Sequence, residues 1–207
     1  MSSRRNLRER GEEAVRIDRL ELDRNISELI QLLDSEFPDV RFGAIQALGR
    51  LGDSRAVPAL MQCIDDPDRV NRSLTYDALG VLRAPEAEGV LVDGLHDVDE
   101  WVRESAASAL SRVGDAVGDD ETLAQRRAAL REVVENDLEL EVRLAAAESL
   151  AILGDTGVWS QIPEMIRALP WLRRRHPKVK RLKGAAKQRQ PLEPYPHLWE
   201  RRRRSTA

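Results

Sequence analysis

The sequence predicts an all-α fold: a stack of about four helical hairpins, followed by a C-terminal capping helix and a basic tail. Three observations predict it. Four segments recur, "DVRFGAIQALGRLGD" (39–53), "VNRSLTYDALGVLRA" (70–84), "WVRESAASALSRVGD" (101–115) and "EVRLAAAESLAILGD" (141–155). Inside them the apolar residues fall at helical spacing. With only two Phe, two Tyr and four Trp in the chain, the core must come from Ala, Leu and Val, which suits closely packed helices.

Aligned on Arg41, Arg72, Arg103 and Arg143, the copies lie 31, 31 and 40 residues apart, the last gap holding extra residues around "VGDDETLAQ". In the first copy Val40, Ala44, Ala47, Leu48 and Leu51 follow i, i+4, i+7, i+8, i+11 and form one helical stripe. Val102, Ala106, Ala109, Leu110 and Val113 repeat it in the third. Gly52, Gly114 and Gly154 stand where a C-terminal cap needs positive φ. The second copy departs from the pattern, with Asn71 at the Val site and Arg83 at the Gly site, so Pro85 is expected to supply its stop.

Each of these helices has a partner upstream. The partners read "ISELIQLLD" (26–34), "AVPALMQCID" (56–65), "EGVLVDGLHD" (88–97) and the longer "ETLAQRRAALREVVEN" (121–136). A fifth start, "WSQIPEMIRAL" (159–169), carries Ile162, Met165, Ile166 and Leu169 at helical spacing. Pro170 and the tail are expected to deny it a second helix, leaving it to cap the stack. The boundaries are then 1–25, a charged helix or disordered segment; 26–169, the array; and 170–207, a basic, Pro-containing tail without a fold of its own.

These motifs resemble HEAT repeats, in particular the short variety named after phycobilisome lyases. The likeness lies in the Val-Arg starts, the Gly-Asp exits and the "VPAL" of a first helix, over roughly residues 26–169. It implies a right-handed α-solenoid whose second helices line the concave side. Such arrays serve as scaffolds, lyase subunits and hydroxylases, so the likeness leaves function open between a protein-binding scaffold and a lyase-like or metal-dependent enzyme or accessory. It also implies that Arg41, Arg72, Arg103 and Arg143 are structural and cross-link adjacent repeats. Asp34, Asp65, Asp97 and Asn136 are the candidate acceptors, about seven residues earlier.

Catalytic chemistry has few residues to draw on. Of three histidines, His176 and His197 lie in the tail and His96 sits in a loop beside Asp97 and Asp99, a weak metal pattern. The paired His-Glu motifs by which the related hydroxylases hold iron are missing. Cys63, the single cysteine, reads as a small buried hydrophobe. The expectation is a non-enzyme with no catalytic residue, metal or cofactor.

Binding is better represented. By helical counting, Phe42, Gln46, Arg50, Asp77, Glu104, Arg112 and Glu148 fall away from the apolar stripe onto the concave face. Their mixture of charges lacks the continuous cationic track of a duplex-gripping groove, so a protein partner fits better than nucleic acid. Trp101 and Trp159 are interface anchors or edge packing.

Charge is divided along the chain. Residues 1–170 hold 20 basic and 34 acidic side chains, residues 171–207 hold 13 and two. The cations of this arm are Arg173, Arg174, Arg175, Lys178, Lys180, Arg181, Lys183, Lys187, Arg189, Arg201, Arg202, Arg203 and Arg204, interleaved with Trp171 and Trp199. Cations supply counterion-release affinity and rings stack on unpaired bases, so RNA or a ribonucleoprotein is one ligand class. An acidic protein, or the chain's own acidic body, is another; anionic lipid, without an amphipathic apolar face, is a third. No apolar run approaches the roughly 20 residues of a membrane span, and the start "MSSRRNLRERGEEAVR" lacks a signal-peptide core. A cytoplasmic location is expected.

Overall fold

The computed structural model describes residues 11–12, 15–113, 120–168 and 177–188, and every regular element among them is helical. Helix α1 covers residues 15–22. Three hairpins follow, each with a short first helix that runs into one 3₁₀ turn: α2 (Ile26–Gln31), α4 (Val57–Leu60) and α6 (Glu88–Asp93). Their second helices are α3 (Pro38–Leu51), α5 (Arg69–Leu82) and α7 (Glu100–Leu110). The fourth pairs α8 (Asp120–Asn136) with α9 (Leu140–Ile152); α10 (Ile162–Ala168) and α11 (Pro177–Gln188) close the stack.

Local chemistry sets these boundaries. Asp68 and Asp99 precede α5 and α7, and their carboxylates accept from the amides of Val70 (2.8 Å) and Trp101 (3.0 Å), satisfying donors that an N-terminus leaves open. At the far ends Gly52 (φ 65°) and Gly154 (φ 76°) take the left-handed conformation, as the spacing predicts. Gly114 lies outside the described residues. The second copy corrects the expectation placed on Pro85. Arg83 itself adopts φ 53°, its amide reaching Gly80 O (3.3 Å), while buried Ala84 reaches Leu79 O (3.5 Å). The cap survives without glycine because the following apolar contact and these bonds offset the steric penalty of about 1–2 kcal/mol.

The stripes find each other across repeats. Second helices lie side by side, α3 on α5, α5 on α7 and α7 on α9. Val40, Ala44, Ala47, Leu48, Val102, Ala106, Ala109 and Leu110 are all inaccessible to solvent. Small residues permit the approach: a Cβ on Gly80 would stand 2.8 Å from the Cβ of Ala109 and 2.9 Å from its Cα. Asn71, at the Val site, is buried and spans the α3–α5 seam, donating to Pro38 O (3.0 Å) and, before its own helix, to Asp66 Oδ2 (3.2 Å). Helix α1 caps the first hairpin by burying Ile17 and Leu20, with Ile17 Cδ1 filling the space above Gly43.

At the other end the structure differs from expectation. A second helix does follow the fifth start: α11 packs on α10 and buries Val179, Leu182 and Ala185 at i, i+3, i+6. Within 170–207 it is this docked face that gives Pro177–Gln188 its order; the neighbouring stretches lie outside the described residues.

Candidate protein-interaction face

The turns between helices carry a ladder of charge. Arg41 donates from Nε and Nη2 to Asp66 (2.7 and 2.9 Å) and from Nη1 to Ser35 O (2.8 Å). Arg72 does the same to Asp97 (2.9 and 3.0 Å) and Asp66 O (2.9 Å), and Arg103 to Asp137 (2.7 and 3.1 Å) and Asp97 O (3.0 Å). Each guanidinium therefore holds its own hairpin's turn with one nitrogen and the next hairpin's carboxylate with two, a geometry that suits a planar fork. None of the three takes the carboxylate expected about seven residues before it: Arg41 reaches Asp66 instead of Asp34, Arg72 reaches Asp97 instead of Asp65, and Arg103 reaches Asp137 and only the backbone carbonyl of Asp97. The reason lies in the turn. Asp66, Asp97 and Asp137 each accept the amide two residues on (2.8 Å in all three), which aims the second oxygen at the preceding repeat.

Ser35 occupies the equivalent site in the first hairpin and accepts the amide of Phe37 (3.3 Å), and Arg143 in the last donates to Val134 O (2.7 Å). Burial works to raise the carboxyls of Asp66, Asp97 and Asp137, yet the arginine bonds and turn amides hold each below its usual value. A further link escapes sequence reasoning: buried Arg126 of α8 clamps Glu88 of α6 (2.8 and 3.1 Å) and Val113 O (2.7 Å). No periodic signal marks it, since α8 is the divergent first helix.

On this frame the residues expected on the concave face divide. Phe42, Gln46, Asp77 and Glu104 stay half-buried on successive second helices. Arg50 is engaged by α1, donating to Glu21 (2.7 Å from Nε), and holds Gln46 Oε1 at 2.7 Å. Arg112 is half-buried, with Nη1 sequestered and without a hydrogen-bond partner among the described residues. Glu148 is only 5% exposed and accepts from Arg181 of α11 at 3.3 Å, so the tail helix covers the face at the last repeat. Helical counting on α9 alone could not show that.

The N-terminal ends of the second helices form a second surface beside this row. Between α3 and α5 a cavity of about 360 Å³ is lined by Phe37, Pro38, Asp39, Phe42, Asp68, Val70 and Asn71. Between α7 and α9 one of about 260 Å³ is lined by Glu100, Trp101, Glu104, Glu139, Glu141 and Val142. Trp101 is 48% exposed and lies under Arg69, whose guanidinium carbon is 4.3 Å from the ring centroid. Trp159, by contrast, is buried.

Of the arm, Lys180, Lys183 and Lys187 project from α11 into solvent, and Arg181 leans on Glu148. The side chain of Lys178, together with Trp171, Arg173, Arg174, Arg175, Arg189, Trp199, Arg201, Arg202, Arg203 and Arg204, lies outside the described residues. Cys63 is buried against Ala59 O, and burial pushes its thiol up to about 11, far from a nucleophile's range. His96 is exposed at the end of a 3₁₀ turn, and no group of three or more metal-ligating side chains converges among the described residues. No helix among them is long and apolar enough to cross a membrane.

Comparison with known proteins agrees with this architecture. The family model for HEAT repeats matches residues 14–80 and again 64–151. No curated protein matches in sequence. Among solved structures, the complex of CpcE and CpcF of phycocyanin lyase from Nostoc sp. PCC7120 is similar at TM-score 0.57 and 24% identity, over 78% of this chain and 97% of that one. An engineered protein follows at TM-score 0.53 and 22% identity, covering 85% and 83%, and a designed armadillo repeat protein at 0.51 and 19%, covering 84% and 85%. At these identities the likeness is one of fold.

Proposed function

The chain belongs to the HEAT-repeat family, and from that premise we propose that it is a non-catalytic scaffold gripping a protein partner through the exposed part of its second-helix face. The cations beyond Pro170 add attachment to RNA, a ribonucleoprotein or another acidic partner. One observation carries the reading. The apolar stripes are spent on neighbouring helices and the ladder arginines on neighbouring turns, while Phe42, Gln46, Asp77 and Glu104 remain half-exposed on consecutive rigid helices. An ordered row of varied side chains on a stiff frame is suited to a protein surface. Adding the arm raises avidity through effective concentration, without new contacts on the face.

Capture from native extract tests both halves. Full-length protein is expected to retain a protein partner that survives nuclease and is lost with Gln46→Arg/Asp77→Arg, together with RNA that is lost when Arg201–Arg204 are replaced by Ser. Partner retention indifferent to the face substitutions would overturn the first half, and RNA retention indifferent to the arm the second. The fold likeness to the phycocyanin lyase complex supports a second reading, an accessory subunit of a lyase. That reading predicts a chromophore carried by the purified protein, visible in its absorption spectrum.

A further inference from the structure

Three lysines of α11 form a row that the packing of the stack does not use. Lys180, Lys183 and Lys187 follow i, i+3, i+7, are all exposed, and make no ion pair among the described residues. At roughly 1.5 Å of rise per residue they span about 10 Å along one side of the helix. The other side is anchored: Val179, Leu182 and Ala185 are buried against the stack, and Arg181 is engaged by Glu148 at 3.3 Å. The row therefore sits on a docked element.

Several features narrow the ligand. Gly184 lies between Lys180 and Lys187 on the same side, and a Cβ there would meet nothing within 4 Å, whereas Gly43, Gly80 and Gly94 are required by Ile17, Ala109 and Tyr76. A glycine that weakens an exposed helix without easing its packing leaves the backbone open to close approach from outside. The chain's own carboxylates are taken by arginine forks, as at Arg41, Arg72, Arg103 and Arg126, while lysine is a point charge suited to phosphate. The exposed side of α11 has no apolar side chain, so it lacks both the core of a protein interface and the wedge that a bilayer takes up. It has no ring on which an unpaired base could stack. Residues 1–170, with 34 acidic side chains against 20 basic, repel a polyanion from the rest of the chain.

We propose that the face of α11 formed by Lys180, Lys183, Gly184 and Lys187 binds the phosphate backbone of a double-stranded nucleic acid without reading its sequence. The proposal rests on the reading that cations beyond Pro170 attach RNA, and gives that attachment a defined contact and a duplex ligand. Affinity comes from counterions released by three phosphate contacts, and the bare glycine lets the backbone lie close to the helix.

Titrating the full-length chain with short labelled duplexes of unrelated sequence, in RNA and in DNA, at several salt concentrations tests it. Binding is expected to be indifferent to sequence, the tighter duplex naming the source. Lys180→Gln/Lys183→Gln/Lys187→Gln should weaken it about tenfold and make the slope of log affinity against log salt shallower by about three. Glutamine is a good helix former, so α11 is expected to persist, which circular dichroism verifies. Gly184→Glu, which removes no cation, should weaken binding too. Adding Gln31→Lys/Gln62→Lys/Gln125→Lys to the triple variant, at exposed positions of the array, returns the net charge and should not return the binding. Recovery there would reduce the effect to net charge and overturn the face, as would binding confined to one sequence. Duplex binding untouched by the triple substitution and lost when Arg201–Arg204 are replaced by Ser overturns the face and leaves the arm's reading standing. Failure of the unaltered chain to bind either duplex or single-stranded RNA overturns both.

Discussion

Arg72 of one hairpin and Asp97 of the next are joined by two parallel hydrogen bonds, 2.9 and 3.0 Å, while the remaining nitrogen of Arg72 returns to its own turn at Asp66 O, 2.9 Å. The side chains are 14% and 13% exposed, so the pair is largely withdrawn from water. One residue thereby fixes the orientation of two repeats. Asp97→Ala leaves the guanidinium without its carboxylate and is expected to cost about 2–3 kcal/mol in urea unfolding. Arg72→Lys is expected to lose most of the same energy, because a point charge cannot serve three acceptors. A double-mutant cycle with Arg72→Met and Asp97→Ala should then show clear non-additivity.

The ladder also sets the response to acid. Asp66, Asp97 and Asp137 have folded-state values below the unfolded carboxyl, about 3.9, despite the burial that opposes it. Their stabilisation is therefore complete above the unfolded value and is lost as pH falls through the lower folded one. Thermal midpoints are expected to be level near neutrality and to drop once the pH goes below about 4. In Asp97→Asn the drop should be shallower, because one linked proton is gone.

Two glycines make opposite predictions from the same substitution. Gly80→Ala adds a good helix former yet places its methyl 2.8 Å from the Cβ of Ala109, so overpacking of about 1–3 kcal/mol outweighs the helix gain of about 1 kcal/mol. Gly184 in α11 meets nothing within 4 Å, and Gly184→Ala should strengthen that helix, read as slower amide exchange over residues 179–186.

Much of this was legible beforehand, for a physical reason. A stripe such as Val40, Ala44, Ala47, Leu48, Leu51 is dictated by a single helix, and Gly52 by a single dihedral, so both appear in local spacing. Acceptors in the following repeat are another matter. That Asp66 and not Asp34 takes Arg41 depends on which turn reaches it, 25 residues away. Arg83 escaped because its cap rests on buried Ala84 and backbone bonds and not on residue type. Helix α11 is hidden by composition: Val179, Leu182 and Ala185 keep helical spacing, but Lys180, Arg181 and Lys183 between them mask the stripe. Burial of Glu148 followed unseen from the same omission.

The docking of α11 is separable from the array. Leu182→Asp puts a charge at a position 2% exposed and should release the helix, seen as unprotected amide exchange across 179–186. Unfolding of the hairpins is expected to stay near its unaltered midpoint, since α11 packs on the terminal pair. A large loss throughout the chain would instead make α11 an integral part of the core.

The most direct test of the scaffold reading is position-specific photo-cross-linking. A photoreactive side chain placed in turn at Ser73, Asp77 and Ser108 on the second helices, and at Pro58 and Gly89 on the first helices, is irradiated in native extract. Adducts to one protein from the second-helix positions, with none from the first-helix positions, are the predicted result. Adducts to that protein from the first-helix positions alone would contradict the account.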